Sequence, residues 1–359
     1  MNSISIFYFL IFGLLMLAKI NGAAISNTDK CNDFQQVMED QGKGDSFINC
    51  EMDKNGNVIE LILGGNVDIN VITKIPKTVK KLTIGEDYKD WILTRKMIDA
   101  LSKITNLNSL MLIRNDDTKE KLDISKLKNL EELGIDGGSI EPFHNSFFNL
   151  KKLKILYLNS LGLTSLPNEI GNLKNLEVLD ISYNEIKSLP ETISNLVNLK
   201  KLYAYDNYLY EVPSVIGKLT NLEEIDFEYN AIDEISKSIG NLEKLKILCL
   251  TENFISSLPD EIGYLKSLEE FYFNINEVKT LPESISNLVN LRIMNGEKNK
   301  IENIPTNIGN LSKLEKLNLS FNLITEIPKS ICELKNLEYA DFNFNKTEYN
   351  VKLEIFCNK

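Results

Sequence analysis

The chain has few side chains with which to carry out acid–base or nucleophilic chemistry. His144 is the only histidine, so a Ser-His-Asp or Cys-His arrangement would have to use it. It follows Phe143 in an irregular stretch and reads as a turn residue. Cys249 stands apart from the other four cysteines, which lie toward the chain ends. Acidic neighbours at its position disfavour a thiolate, and so disfavour reactivity. No cysteines and histidines have the spacing of a metal site, and no glycine-rich phosphate loop is present. Neither a metal nor a cofactor is therefore expected. Carboxylates do occur in pairs (Glu131-Glu132, Glu223-Glu224, Glu269-Glu270), but they recur at a regular interval. That regularity suits solvated strand edges better than acid–base work. The expected protein is not an enzyme.

The same interval runs through the apolar residues. Steps of 23 residues from Leu153 meet Leu176, Leu199 and every further leucine as far as Leu337. The same steps from Ile170 meet isoleucine up to Ile331, and from Leu173 leucine up to Leu334. One unit opens Leu176-Glu-Val-Leu179-Asp-Ile181-Ser-Tyr-Asn184, and thirteen units begin at 58, 79, 107, 130 and then every 23 residues from 153 to 337.

Each position in the unit has a physical reading. The third and fifth residues after the lead leucine point inward from a short strand, because strand side chains alternate faces. The eighth is Asn184, Asn207, Asn230, Asn253, Asn276, Asn299, Asn322 and Asn345. An amide both donates and accepts, so a stacked column of them can satisfy loop backbone groups in adjacent units. The fourteenth is proline from Pro167 to Pro328, with Ser236 as the exception, and its fixed φ suits the first residue of a short helix or 3₁₀ turn. Neighbouring core positions compensate in size. Phe227 should cover Ala204, and Phe273 should cover Gly296. An amphipathic helix is expected over Thr94 to Ile104, in an insertion that also carries Trp91.

Leu-x-x-Leu-x-Leu-x-x-Asn at this period resembles the leucine-rich repeat, whose units span roughly 20–29 residues. The Leu-Pro-x-x-Ile-x-x-Leu segment resembles the Ras-group subclass. The residues before the first unit, Cys50, Gly56, Val58, Leu61, Leu63 and Asn66, resemble the N-terminal cap of extracellular plant-type members. The resemblance implies an α/β solenoid of about 13 repeats, a curved horseshoe. Its parallel strands would line the concave face and its short helices or 3₁₀ turns the convex face. It also implies a binding scaffold.

The net charge of −11 argues against a nucleic-acid role, which needs a basic face for phosphates, and equally against docking on an anionic membrane. Residues 1–24 read as a signal peptide. The apolar run Ile4 to Ala18 is too short to span a bilayer, and Gly22, Ala23 and Ala24 suit a cleavage site. No membrane span should remain after signal removal, and the protein is expected to be secreted. Residues 25–57 form an N-terminal cap, 58–345 the solenoid and 346–359 a C-terminal cap. Terminal repeats expose an apolar edge that needs covering. Cys31 and Cys50 before the array, and Cys332 and Cys357 at its end, are candidate disulfide staples, although spacing alone leaves their pairing open.

The outward strand positions carry the remaining information. Over the second, fourth and sixth positions of the nine strands from 153, Asp180, Glu224, Asp226, Glu228, Glu270, Glu297 and Asp341 give seven acids against Lys201 and Lys316. Tyr203 and Tyr205 share a strand face, with Asp180 and Asp226 on the strands either side. Tyr157, Asp180, Tyr203, Tyr205, Asp226, Glu228, Tyr272 and Glu297 are accordingly the candidate partner-binding residues, facing a protein that is basic at the contact. Of three glycosylation sequons, Asn310 falls on the convex side and is the candidate acceptor. Asn318 is concave, and Asn345 belongs to the asparagine column. The favoured reading is a secreted recognition scaffold. The alternatives are an extracellular glycan- or wall-binding protein that uses the tyrosines as stacking platforms, and an intracellular signalling scaffold.

Overall fold

The computed structural model describes residues 29–85, 93–113, 123–138, 145–347 and 357. The signal segment, Trp91, His144 and most of the C-terminal cap lie outside the described residues. Among the described residues the main sheet has fourteen strands, with its strands adjacent in sequence order throughout, and Glu211–Val212 pairs in parallel with Glu234–Ile235 in a second, two-stranded sheet. The first two strands, β1 (Phe47–Met52) and β2 (Val58–Leu63), form an antiparallel hairpin. From β2 onward every pairing in this sheet is parallel. Fourteen strands less the hairpin partner leaves one strand for each of the thirteen repeat units. This is the leucine-rich-repeat solenoid.

The leucine and isoleucine columns make a single continuous core. Leu176, Leu179, Ile181, Ile193 and Leu196 are all fully buried, as are their equivalents in most later repeats. Among the large side chains, Phe227 and Phe273 are fully buried. Phe273 does lie against Gly296, as the size pattern suggested. Ala204 is fully buried along with Phe227.

Opposite the strands run 3₁₀ turns such as Glu191–Asn195 and Ser214–Lys218. The prolines occupy the position just before the turn rather than its first residue. Pro190 has φ −70° and ψ 148°, so the ring fixes φ while the backbone is still extended, and the turn starts one residue later. Where Ser236 replaces proline, its hydroxyl accepts a hydrogen bond from Ser238 N–H and caps the turn. Successive turns stack at backbone distance. A Cβ added to Gly217 would stand 2.5 Å from the Ser238 carbonyl oxygen.

Both ends are stapled. Cys31 on the helix Asp29–Asp40 bonds to Cys50 on β1, and Cys332 bonds to Cys357. The helix covers the open edge of the first repeat with Phe34 and Met38. The insertion helix spans Arg95–Leu101, shorter than the sequence suggested, with the Thr94 hydroxyl accepting from Met97 N–H at its start. Among the described residues, no helix is long and apolar enough to cross a membrane.

Candidate functional site

The asparagine column fixes where each strand ends. Asn230 Oδ1 accepts from Leu209 N–H at 2.9 Å, while its Nδ2 donates to the carbonyls of Ala204, Phe227 and Glu228 at 2.8, 3.1 and 3.2 Å. Asn184, Asn207, Asn253, Asn276, Asn299 and Asn322 repeat this arrangement, and all seven are buried. Just before it in the chain, the seventh residue of each repeat from 153 onward adopts the left-handed backbone. Ser160, Tyr183, Asp206, Tyr229, Glu252, Ile275, Lys298, Phe321 and Phe344 all have φ between 51° and 58°. Side chains other than Gly, Asn and Asp are uncommon there.

The strand floor is more closed than its polar sequence suggests. A carboxylate or amide at the fourth position often caps its own strand end. Asp180 Oδ1 accepts from Ser182 N–H and Oγ at 3.0 and 2.7 Å, and Asp226 Oδ1 accepts from Glu228 N–H at 3.0 Å. Asn295, Asn318 and Asp341 do the same for Glu297, Ser320 and Asn343. Asp226 is only 1% exposed, and burial pushes its carboxyl up to about 7. Glu228 is also buried, and its pKa is raised chiefly by that burial.

The strand register sets Tyr157, Asp180, Tyr203, Asp226, Cys249 and Tyr272 side by side in one row. Tyr157 and Tyr203 are half-buried. Burial, then Glu132, takes Tyr157 up to about 12, and burial with Glu224 raises Tyr203 well above its usual value. Tyr272 is buried beside Cys249 and donates its hydroxyl to Glu270 Oε2 at 2.7 Å. Glu297 lies toward the C-terminal end of the face, accepting from Asn318 Nδ2 at 3.1 Å. Lys201 pairs with Glu224 at 2.8 Å.

Tyr205 belongs to a cluster that reaches past the floor to the edge where the chain leaves the strands. Its ring centroid lies 5.1 Å from Tyr183 and 5.2 Å from Tyr229, with interplanar angles of 60° and 63°. Tyr183 and Tyr229 are each 41% exposed. An aromatic pair contributes roughly 0.5–1.5 kcal/mol beyond its buried area. The left-handed backbone costs a residue with a Cβ roughly 1–2 kcal/mol. The rings can thus support one another in a conformation that neither outer tyrosine favours alone. A second aromatic pair, Phe321 stacked on Phe344 at 4.2 Å, stands on the same edge near the C-terminus.

Among the described residues, Asp226, Glu228 and Cys249 form the one group of three potential metal ligands, with their ligand atoms within 4.8 Å of one another. Burial, then Asp226 and Glu228, keeps the Cys249 thiol far above its usual pKa, and the thiol donates to Glu228 Oε2 at 3.4 Å. A thiolate there would add a further negative charge to a buried site beside two carboxyl groups.

On the opposite edge, where the chain enters the strands, charges alternate along the stack. Lys154 pairs with Glu131, Lys200 with Glu177 and Lys246 with Glu223 at 2.6–2.7 Å, and Arg292 pairs with Glu315 at 2.9 Å. A groove of about 580 Å³ runs along this lattice. Its charged walls are largely paired, Lys154 with Glu131 and Lys200 with Glu177. Beside the lattice, Asn175, Asn198, Asn221, Asn290 and Asn336 donate to carbonyls 24 residues earlier. This second ladder was visible in the sequence at the same spacing. Tyr183 and Tyr229 escape a reading confined to alternating strand positions, because they sit one residue beyond it.

The model of a leucine-rich repeat region matches residues 138–235 and 230–352. Among solved structures, a leucine-rich-repeat protein of Leptospira interrogans is 32% identical with a TM-score of 0.68, covering 74% of this chain and 66% of its own. An internalin of Listeria monocytogenes is 21% identical with a TM-score of 0.68, covering 90% of this chain and 91% of its own, and so supports the fold alone. A structure of PEPR1 with AtPEP1 is 25% identical with a TM-score of 0.63, and it covers 82% of this chain. The chain spans 43% of the length of that PEPR1 chain and 66% of the Leptospira protein's. Among curated proteins nothing matches. Proteins built from such repeats are generally non-catalytic scaffolds.

Proposed function

The chain belongs to the leucine-rich-repeat family, and from that premise we propose that it is a secreted recognition scaffold holding a protein partner on its concave face. The observation that carries this reading is the run of half-buried and exposed tyrosines on and beside the parallel strands. Tyr157, Tyr203 and Tyr205 lie on the floor, with Tyr183 and Tyr229 at its edge. Tyrosine covers a large contact area while losing little conformational freedom. The surrounding acids favour a partner that is basic at the contact, and Asp180, Asp226 and Glu228 contribute mainly from beneath by shaping the floor. Tyr272 and Glu297 extend the same face.

Secretion is supported by the signal-like residues 1–24 and by two disulfides, which suit an oxidising compartment. The paired cysteines count against an intracellular scaffold. Residues 25–57, 58–345 and 346–359 then serve as cap, solenoid and cap. Asn310 is exposed in a 3₁₀ turn, and a glycan there would leave the concave face open. At Asn318 a glycan would break that side chain's bonds to Glu297 and Ser320. The PEPR1–AtPEP1 structure supports ligand binding as a use of this fold.

The test is affinity capture from the secretion medium, comparing wild type with the Tyr203→Ala/Tyr205→Ala double variant. Loss of one identified protein in the double variant supports the proposal. Capture of the same proteins by both forms contradicts it. Loss of glycan-array binding instead would favour the carbohydrate alternative.

A further inference from the structure

The tyrosine edge has a composition of its own, distinct from the floor. Along the left-handed column the residues alternate Tyr183, Asp206, Tyr229, Glu252 in consecutive repeats, and Tyr205 stands between the two outer rings. The rings meet at 60° and 63° rather than stacking parallel, so they do not cover one another face to face. Asp206 raises the pKa of all three phenols, Glu228 raises those of Tyr205 and Tyr229, and Glu252 raises that of Tyr229. The charged side chains that most raise the pKa of these phenols are acidic. Asp180 and Asp226 add their influence at Tyr183 from the floor.

We propose that Tyr183, Tyr205, Tyr229, Asp206 and Glu252 form a cation-binding subsite that takes an arginine side chain from the protein partner. A guanidinium is planar and weakly hydrated, lies well on tyrosine faces, and pairs with a carboxylate through fixed donors. The edge supplies both the rings and the carboxylates, whereas on the opposite edge Glu131, Glu177, Glu223 and Glu315 are already paired with lysine or arginine. The exposed surface at Tyr183 and Tyr229 is thus complementary in shape class and in charge to an arginine-bearing segment.

This inference rests on the concave face being the protein-binding face, and its test uses a separate readout. Fluorescence polarisation of a labelled hexa-arginine peptide is measured on the full secreted chain, beside hexa-citrulline as the neutral isostere. The subsite requires hexa-arginine to bind well above hexa-citrulline. Tyr205→Ala and Tyr229→Ala should each weaken it roughly tenfold, and Glu252→Gln should weaken it too. Tyr205→Phe, which keeps the ring, should stay within about twofold, with matched unfolding midpoints showing that each variant is folded. Glu243→Gln removes an equal charge from a glutamate paired with Lys266 elsewhere on the repeat, and it should change nothing. Equal weakening by Glu243→Gln and Glu252→Gln with no effect of the ring variants would overturn the subsite, because the binding would then be general electrostatics. Binding of cellohexaose or chitohexaose that is lost in the ring variants, with no preference for arginine, would overturn it in favour of a glycan. If hexa-arginine is ignored while the partner is still captured through Tyr203 and Tyr205, the cationic class fails and the protein-binding reading stands.

Discussion

The ring of Phe273 fills the space that a side chain at Gly296 would occupy. A Cβ built on Gly296 would lie 2.5 Å from Phe273 Cζ and 3.1 Å from Leu319 Cδ2. The two residues hold the same position in adjacent repeats, so one large and one absent side chain together fill a single layer. Gly296→Ala should therefore destabilise the fold by about 1–3 kcal/mol. Combining it with Phe273→Leu should recover part of that loss. Urea unfolding of the two single variants and the double variant checks the coupling, and strictly additive effects would show that the residues do not share space.

The asparagine column predicts an asymmetry between two sets of similar residues. Asn230→Ala strands Leu209 N–H and three carbonyls in the interior, at a cost of about 1–3 kcal/mol. Asn198→Ala removes one exposed bond to the Lys174 carbonyl, where water can replace the amide, and should cost less than about 1 kcal/mol. Thermal unfolding of both variants at one pH decides it.

Stability should rise under mildly acidic conditions because of Asp226. Its folded pKa, raised to about 7 from 3.8, means that the folded state holds a proton the unfolded state has lost. Between about pH 4 and pH 7 the unfolded chain binds fewer protons, so stability falls as pH rises across that window. Glu228, with its pKa raised in the same direction, adds to the slope. Asp226→Asn keeps the oxygen that accepts from Glu228 N–H. It should flatten the slope and stabilise the protein at pH 8 by a few kcal/mol, at about 1.4 kcal/mol per pH unit, with little effect at pH 4. An unchanged slope in the variant would place the pH dependence elsewhere.

The N-terminal staple closes a loop with a sequence separation of 19. Cys31→Ser/Cys50→Ser should cost about 3 kcal/mol by chain-entropy arithmetic. Hydrogen exchange should rise first in the helix Asp29–Asp40 and β1, because the terminal repeat has a neighbour on one side only. Uniform loosening along the array would contradict that order.

Most of the fold was legible in the sequence because a stacked core imposes fixed spacing, and unbroken columns such as Leu153 to Leu337 leave no alternative register. The site was legible only in part. Asp180 and Asp226 read as outward acids, yet they turn back to cap their own strand ends, a local hydrogen bond that alternation along a strand does not reveal. The left-handed column carries Ser, Tyr, Asp, Glu, Ile, Lys and Phe in place of Gly or Asn, so its composition gave no mark of its backbone. Tyr183 and Tyr229 were hidden for that reason, while Tyr205 was visible as the sixth position of its unit, although the strand itself ends at Tyr203.

In the proposed complex the concave face and its tyrosine edge hold the partner while the convex side serves as scaffold. Hydroxyl-radical footprinting of the captured complex tests this most directly, because Tyr264 on a convex 3₁₀ turn is 56% exposed and serves as an internal control. Tyr183, Tyr205 and Tyr229 should lose oxidation on binding while Tyr264 is oxidised as in the free chain. Protection of Tyr264 with no change at Tyr183, Tyr205 and Tyr229 would contradict it.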